Sequence, residues 1–208
     1  MGLVIPRAWL CAGLLIGLMM SATPMEKASA DAVPGAMATG QRTSIPVGYM
    51  EFCRRQAAEC RIRSGKIPPI LMTSGMEDKL ASVTKLVNRS IKPVSDFAVH
   101  GTMEFWSYPV SAIGDCEDYV LLKRQMLNLE GISLSNLLIT VVRKKDGEGH
   151  AVLTVKTDKG DYVLDNLNDD VKLWSETGYR FLKRQSSTHT GRWVAILEHP
   201  DVLVGAVD

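Results

Sequence analysis

The sequence predicts an α+β domain, helices first and an antiparallel sheet second. Three observations carry that reading. Between residues 46 and 130 the apolar residues recur mostly at helical spacing. After Gly131 they gather into short β-branched and leucine runs. Compact turn signals, Asp146-Gly147-Glu148-Gly149 and Thr157-Asp158-Lys159-Gly160, separate those runs.

The elements follow in order. Arg7 precedes an apolar run over residues 8–20, too short to span a bilayer comfortably, and Ala28-Ser29-Ala30 stands before Asp31. Residues 1–30 thus have the layout of a signal peptide with an Ala-x-Ala cleavage site; the other reading is an uncleaved anchor. Cleavage removes Cys11 and leaves no membrane-inserted segment. Residues 31–44 are small, polar and aperiodic, which predicts a flexible leader. A mostly helical stretch over 46–63 is broken by Ser64-Gly65 and Pro68-Pro69. A second helix is expected over 76–91, with Leu80, Val83, Leu86 and Val87 on one side, and Pro93 ends it. Residues 94–114 are irregular yet carry Phe97, Phe105, Trp106 and Tyr108, the composition of a functional or core-covering loop.

A third helix is predicted over 116–130, opened by Asp115 as N-cap and stopped by Gly131. Strands are expected over 137–142, 151–155, 162–164, 181–182 and 193–197, so the domain covers 45–200 with a 201–208 tail.

With 46% hydrophobic and 23% charged residues, the composition is that of a globular protein. Removing residues 1–30 takes away two of the 24 basic and one of the 23 acidic residues, so the charges then balance. No basic surplus is left to hold phosphates, which argues against a nucleic-acid partner.

Export leaves three cysteines, Cys53, Cys60 and Cys116. The simplest pairing joins Cys53 to Cys60. Seven residues of unbroken helix would hold their Cα atoms about 10 Å apart, so the bond demands a turn within residues 54–59. Cys116 is then the free thiol, in Gly114-Asp115-Cys116-Glu117-Asp118-Tyr119 at a helix start. Free N–H groups there favour a thiolate; a small core cysteine is the other reading.

A nucleophilic cysteine needs an imidazole, and the imidazole needs an acceptor to orient it. His150 opens a strand after a Gly-rich turn, in Gly149-His150-Ala151. If the next hairpin turns at residues 158–159, opposed positions sum to about 317. His150 then faces residues 165–167. Asp165 is the candidate acceptor, with Asn166 taking its place if the register slips by one. No zinc-type spacing, Gly-x-Ser-x-Gly elbow or P-loop is present.

Gly114-Asp115-Cys116-Glu117-Asp118-Tyr119, the upstream Trp106-x-x-Pro109, Gly149-His150-Ala151 and Leu164-Asp165-Asn166 occur in this order. Together with Phe52-Cys53 and Glu59-Cys60, they resemble the bacterial transglutaminase-like cysteine proteinases over nearly all of residues 46–198. The resemblance implies a papain-like, transglutaminase-like α+β fold. Helices come first, and the catalytic cysteine sits at a helix N-terminus packed on an antiparallel sheet. It also implies a Cys116–His150–Asp165 triad and a periplasmic location.

The LapG-type branch of that family cleaves large surface adhesins and needs calcium. By resemblance, its metal ligands correspond to Asp115 and Glu117. The same acids suit a helix N-terminus without any metal. The expected activity is hydrolysis of peptide bonds in exported proteins, secreted or surface adhesins among them, through a thioester. Trp106 and Asn166 are candidates for the cleft and the oxyanion site. Acyl transfer to an amine and a non-catalytic periplasmic binding module are the competing readings.

Overall fold

The structure is a computed structural model that describes residues 1–2 and 33–197. The remainder of the expected signal peptide, Cys11 and the 201–208 tail lie outside the described residues. The chain divides into two units, 1–31 and 32–208, and every element below belongs to the second.

Helices α1 (Val47–Arg55), α2 (Ser74–Ser90), α3 (Asp96–His100) and α4 (Cys116–Leu129) come with strands β1 (Thr39–Thr43), β2 (Lys92–Pro93) and β3 (Ile113–Gly114). Strands β4 (Leu137–Arg143), β5 (Gly149–Thr157), β6 (Gly160–Leu164), β7 (Lys172–Leu173), β8 (Arg180–Ser186) and β9 (His189–Ile196) follow. Seven strands form one sheet in the order β1-β9-β8-β4-β5-β6-β7, each neighbouring pair antiparallel. This is the predicted α+β order. Among the described residues no helix is long and apolar enough to cross a membrane.

The central strands are covered on both faces, which is why they read as apolar runs and not as alternating patterns. Ile139, Ala151, Leu153 and Val155 face the helical layer with Leu80, Val87, Val120 and Leu127. Val142, Val152 and Val163 face a smaller cluster closed by Met37, Phe181 and Ile196.

Several expectations are corrected. The predicted leader is structured from at least Met37, which is buried and donates its N–H to Asp161 Oδ2 at 2.8 Å. The next residues form edge strand β1 on β9. An edge strand with one face in water needs no apolar alternation, so small polar residues concealed it. The helix read over 46–63 stops at Arg55, and a turn over residues 56–60 brings Cys53 and Cys60 to a Cα–Cα distance of 5.6 Å, disulfide-bonded. Helix α2 starts at Ser74, because the Thr73 hydroxyl accepts from Met76 N–H. Leu86, expected on its buried side, is 56% exposed; Thr84 takes the inner position and returns its hydroxyl to Leu80 C=O.

Two glycines flank α4. Gly131 follows α4 at φ +90°, where a side chain would be strained. A Cβ on Gly114 would collide with Asp118 Oδ2, so only glycine lets that carboxylate fold back over β3.

Lys123, on α4, is fully buried, and its Nζ has no hydrogen-bond partner; the Tyr119 ring lies 5.9 Å away. Burial pulls its ammonium down to about 7, against the opposing charges of Asp165 and Asp169. The unfolded chain keeps that proton to about 10.4. Between these values the unfolded state binds more protons, so this group's contribution to stability rises with pH. Lys123→Met is therefore expected to raise the unfolding free energy near pH 6 by about 1–3 kcal/mol, the gain fading as the pH approaches about 10. Urea unfolding at both ends reads it, and a loss of stability near pH 6 contradicts it.

Candidate active site

Cys116 is the first residue of α4, and His150 is the second residue of β5, on the central hairpin against which α4 packs. The β5–β6 ladder pairs Leu153 with Leu164 and Thr157 with Gly160, the register read from the turn residues. The ladder ends at Leu164, and Asp165, one step on, turns toward His150: Nε2 lies 2.8 Å from Oδ1. The structure therefore brings Asp165 to the imidazole, and Asn166 lies outside that pair, its buried Oδ1 without a partner. Cys116 and His150 share a cleft of about 420 Å³ walled by Val47, Trp106, Glu117 and Val141.

Asp165 is only 5% exposed, yet well supplied with donors. Leu167 N–H reaches Oδ1 at 3.1 Å and the Tyr179 hydroxyl reaches Oδ2 at 2.6 Å. Burial alone would raise its carboxyl; the His150 hydrogen bond and charge, with Tyr179 and Leu167, outweigh burial and hold it below the ordinary aspartate value. An ionised Asp165 fixes the Nε2–H tautomer of His150 and leaves Nδ1 as the basic nitrogen.

The thiol itself is held in check. Cys116 Sγ donates to Glu117 Oε2 at 3.2 Å. Burial raises its pKa well above the usual thiol value, the Glu117 charge adds to that, and Asp115 contributes less; Ala151 N–H works the other way.

Behind the sulfur lies an acidic cluster in which Asp96, Asp115 and Asp118 bring oxygens within 4.8 Å of one another, and Asp115, Cys116 and Glu117 form a second such group. Burial, then Asp115, pushes Glu117 up to about 10. Burial also pushes Asp118 up to about 7, opposed by the Ser107 N–H it accepts at 2.8 Å. Asp96 is raised as well, first by burial, despite accepting from Phe105 N–H.

Asp115 stands at the N-cap position of α4, but its side chain makes no cap bond there; Oδ2 accepts instead from Asp96 N–H at 3.1 Å, and Oδ1 is buried without a partner. Hard carboxylate oxygens, mutual crowding and an unpaired buried oxygen suit a calcium ion. Asp115 and Glu117 came from the family resemblance; Asp96 and Asp118 are added by the fold. Asp118 was within reach as part of the acidic block. Nothing in the sequence ties Asp96 to it, since α3 and the β2–β3 pair carry it there.

Trp106 is 2% exposed and packs edge-on against Tyr49 at 5.4 Å, while its indole N–H donates to Glu104 at 3.0 Å. It walls the cleft with its N–H already committed. His100 stacks on Phe105 at 4.2 Å and is not among the residues walling the cleft. Sequence reasoning also missed Tyr179, which no motif marks.

A family model described as bacterial transglutaminase-like cysteine proteinase matches residues 39–201. No curated protein matches the chain. Among solved structures, calcium-bound LapG of Legionella pneumophila superposes with a TM-score of 0.50 at 21% identity, over 62% of this chain and 75% of that one, a likeness of fold. LapG of the same organism also matches at a TM-score of 0.49 and 22% identity, over 57% and 67% of the two chains. Its EGTA-treated form gives 0.49 and 23%, over 57% and 66%.

Proposed function

The chain belongs to the bacterial transglutaminase-like cysteine proteinases, and on that premise we propose that it hydrolyses peptide bonds of exported proteins through Cys116, His150 and Asp165. The observation that carries this is the buried His150–Asp165 pair opening onto the same cleft as the one free thiol among the described residues.

The thiol proton passes to His150 Nδ1, and the sulfur attacks the scissile carbonyl carbon. The developing oxyanion meets N–H donors at the start of α4, which have no partner within the helix. As the C–N bond breaks, the leaving amine takes the proton from His150. Water then attacks the thioester, giving up its proton to His150. Collapse releases the carboxylic acid product, which gives up its own proton to solvent, and the proton on His150 returns to the sulfur. Asp165 keeps its negative charge throughout and holds the imidazole by Nε2.

Asp115 and Glu117, joined by Asp96 and Asp118, are the residues that would hold calcium, a reading supported by their chemistry and by the calcium-bound state of LapG. Calcium bound there supplies positive charge against the carboxylates that raise the Cys116 thiol. Residues 1–30 support export, and the Cys53–Cys60 disulfide fits an oxidising compartment such as the periplasm. Secreted or surface adhesins are the substrate class taken from the family resemblance.

Iodoacetamide alkylation tests the nucleophile–base pair without knowledge of the substrate. Cys116 is the expected adduct site, and His150→Ala is expected to slow the reaction at neutral pH by at least about tenfold. An undiminished rate contradicts the role of His150.

A further inference from the structure

Asp165 carries the orientation of His150, so whatever fixes Asp165 also governs the imidazole. Its two oxygens are held unequally. Oδ1 is shared by His150 Nε2 and Leu167 N–H, while the Tyr179 hydroxyl is the donor that Oδ2 has among the described residues. The same tyrosine lays its ring edge-on against the His150 ring, with centroids 5.6 Å apart and planes at 68°. One side chain thus touches both the acid and the base, from a segment just before β8 that belongs to neither strand of the catalytic hairpin.

We propose that Tyr179 is a positioning residue of this site: its hydroxyl holds the Asp165 carboxylate in the rotation that presents Oδ1 to His150, and its ring keeps the imidazole from turning away. The inference rests on the reading of His150 and Asp165 as base and orienting acid.

The surroundings explain why a holder is needed. Lys123 on α4 acts on Asp165 by charge with no hydrogen bond, and Asp169 adds a like charge on the same side. Asn88 on α2 spends its amide on Asp165 C=O and on Asp169 Oδ1, not on the Asp165 carboxylate. Without the Tyr179 hydroxyl, Oδ2 is a buried anion oxygen with no donor, and Lys123 is the charge it would turn toward. That rotation takes Oδ1 off His150.

The test is a cycle of iodoacetamide alkylation rates at Cys116, in wild type, Tyr179→Phe, Asp165→Ala and the double variant. Tyr179→Phe keeps the ring and removes one hydroxyl, and its thermal midpoint serves as the folding control. It is expected to slow alkylation roughly 3- to 30-fold. In the Asp165→Ala background the same change is expected to alter the rate less than about twofold, because the hydroxyl acts through Asp165. A purely structural tyrosine gives equal losses in both backgrounds and overturns the proposal, as does an unchanged or faster rate in Tyr179→Phe alone. His150→Ala, run alongside, separates the two failures: if it alkylates at the wild-type rate, the triad reading falls. If it is slow while Tyr179→Phe is not, only the role of Tyr179 does.

Discussion

Cys116→Ala is expected to lower kcat/KM for peptide hydrolysis by at least about 10⁴-fold, the loss that follows removal of a nucleophile from an acting triad. The fold should survive, because alanine is a good helix residue at the head of α4 and Cys116 is half-buried at the edge of the core cluster. No other described cysteine can substitute, since Cys53 and Cys60 are bonded to each other. Initial rates and a thermal melt on the same preparation separate chemistry from stability. A melt within a few degrees of wild type together with retained activity above about 1% would place the nucleophile elsewhere.

The second large effect is the one expected from the proposed calcium site. Burial raises the Cys116 thiol first, Glu117 and then Asp115 add to it, and Glu117 also takes its hydrogen bond. A divalent cation held by those carboxylates would offset their part of that rise, each unit being tenfold in thiolate at a given pH. Alkylation of Cys116 near neutral pH is expected to be at least about tenfold faster with calcium than with a chelator. Glu117→Gln, which removes a ligand, should make the two rates converge. Equal wild-type rates in calcium and in chelator contradict the electrostatic account.

Local signals carried much of the site. Turn residues Asp158 and Lys159 set the hairpin register, which put residue 165 within reach of residue 150; the turn of the chain after Leu164 completes the approach. The lone acid-flanked cysteine marked itself, and the turn required of a Cys53–Cys60 bond is present at residues 56–60.

What escaped was long-range or polar. Asp96 joins the acidic cluster because β2 pairs with β3 and delivers α3 beside Asp115, a pairing of two-residue strands with no periodicity. Tyr179 reaches Asp165 from a segment that reads as a loop. Edge strand β1 is built of Thr, Gly, Gln and Arg, whose place is decided by the partner β9 and not by their own propensities. The inner face of α2 was misread at Leu86 because an apolar residue near the stripe's border was taken as buried; its neighbour Thr84 can hide its hydroxyl on the helix backbone.

The central claim is that the reaction passes through a thioester on Cys116. Turnover of 4-nitrophenyl acetate, quenched in acid and followed by mass spectrometry of the digested protein, tests it most directly. The expected result is one acetyl group on the peptide containing Cys116, formed in wild type and absent from Cys116→Ala. An acetyl group on another residue during turnover, or undiminished turnover by Cys116→Ala, contradicts it.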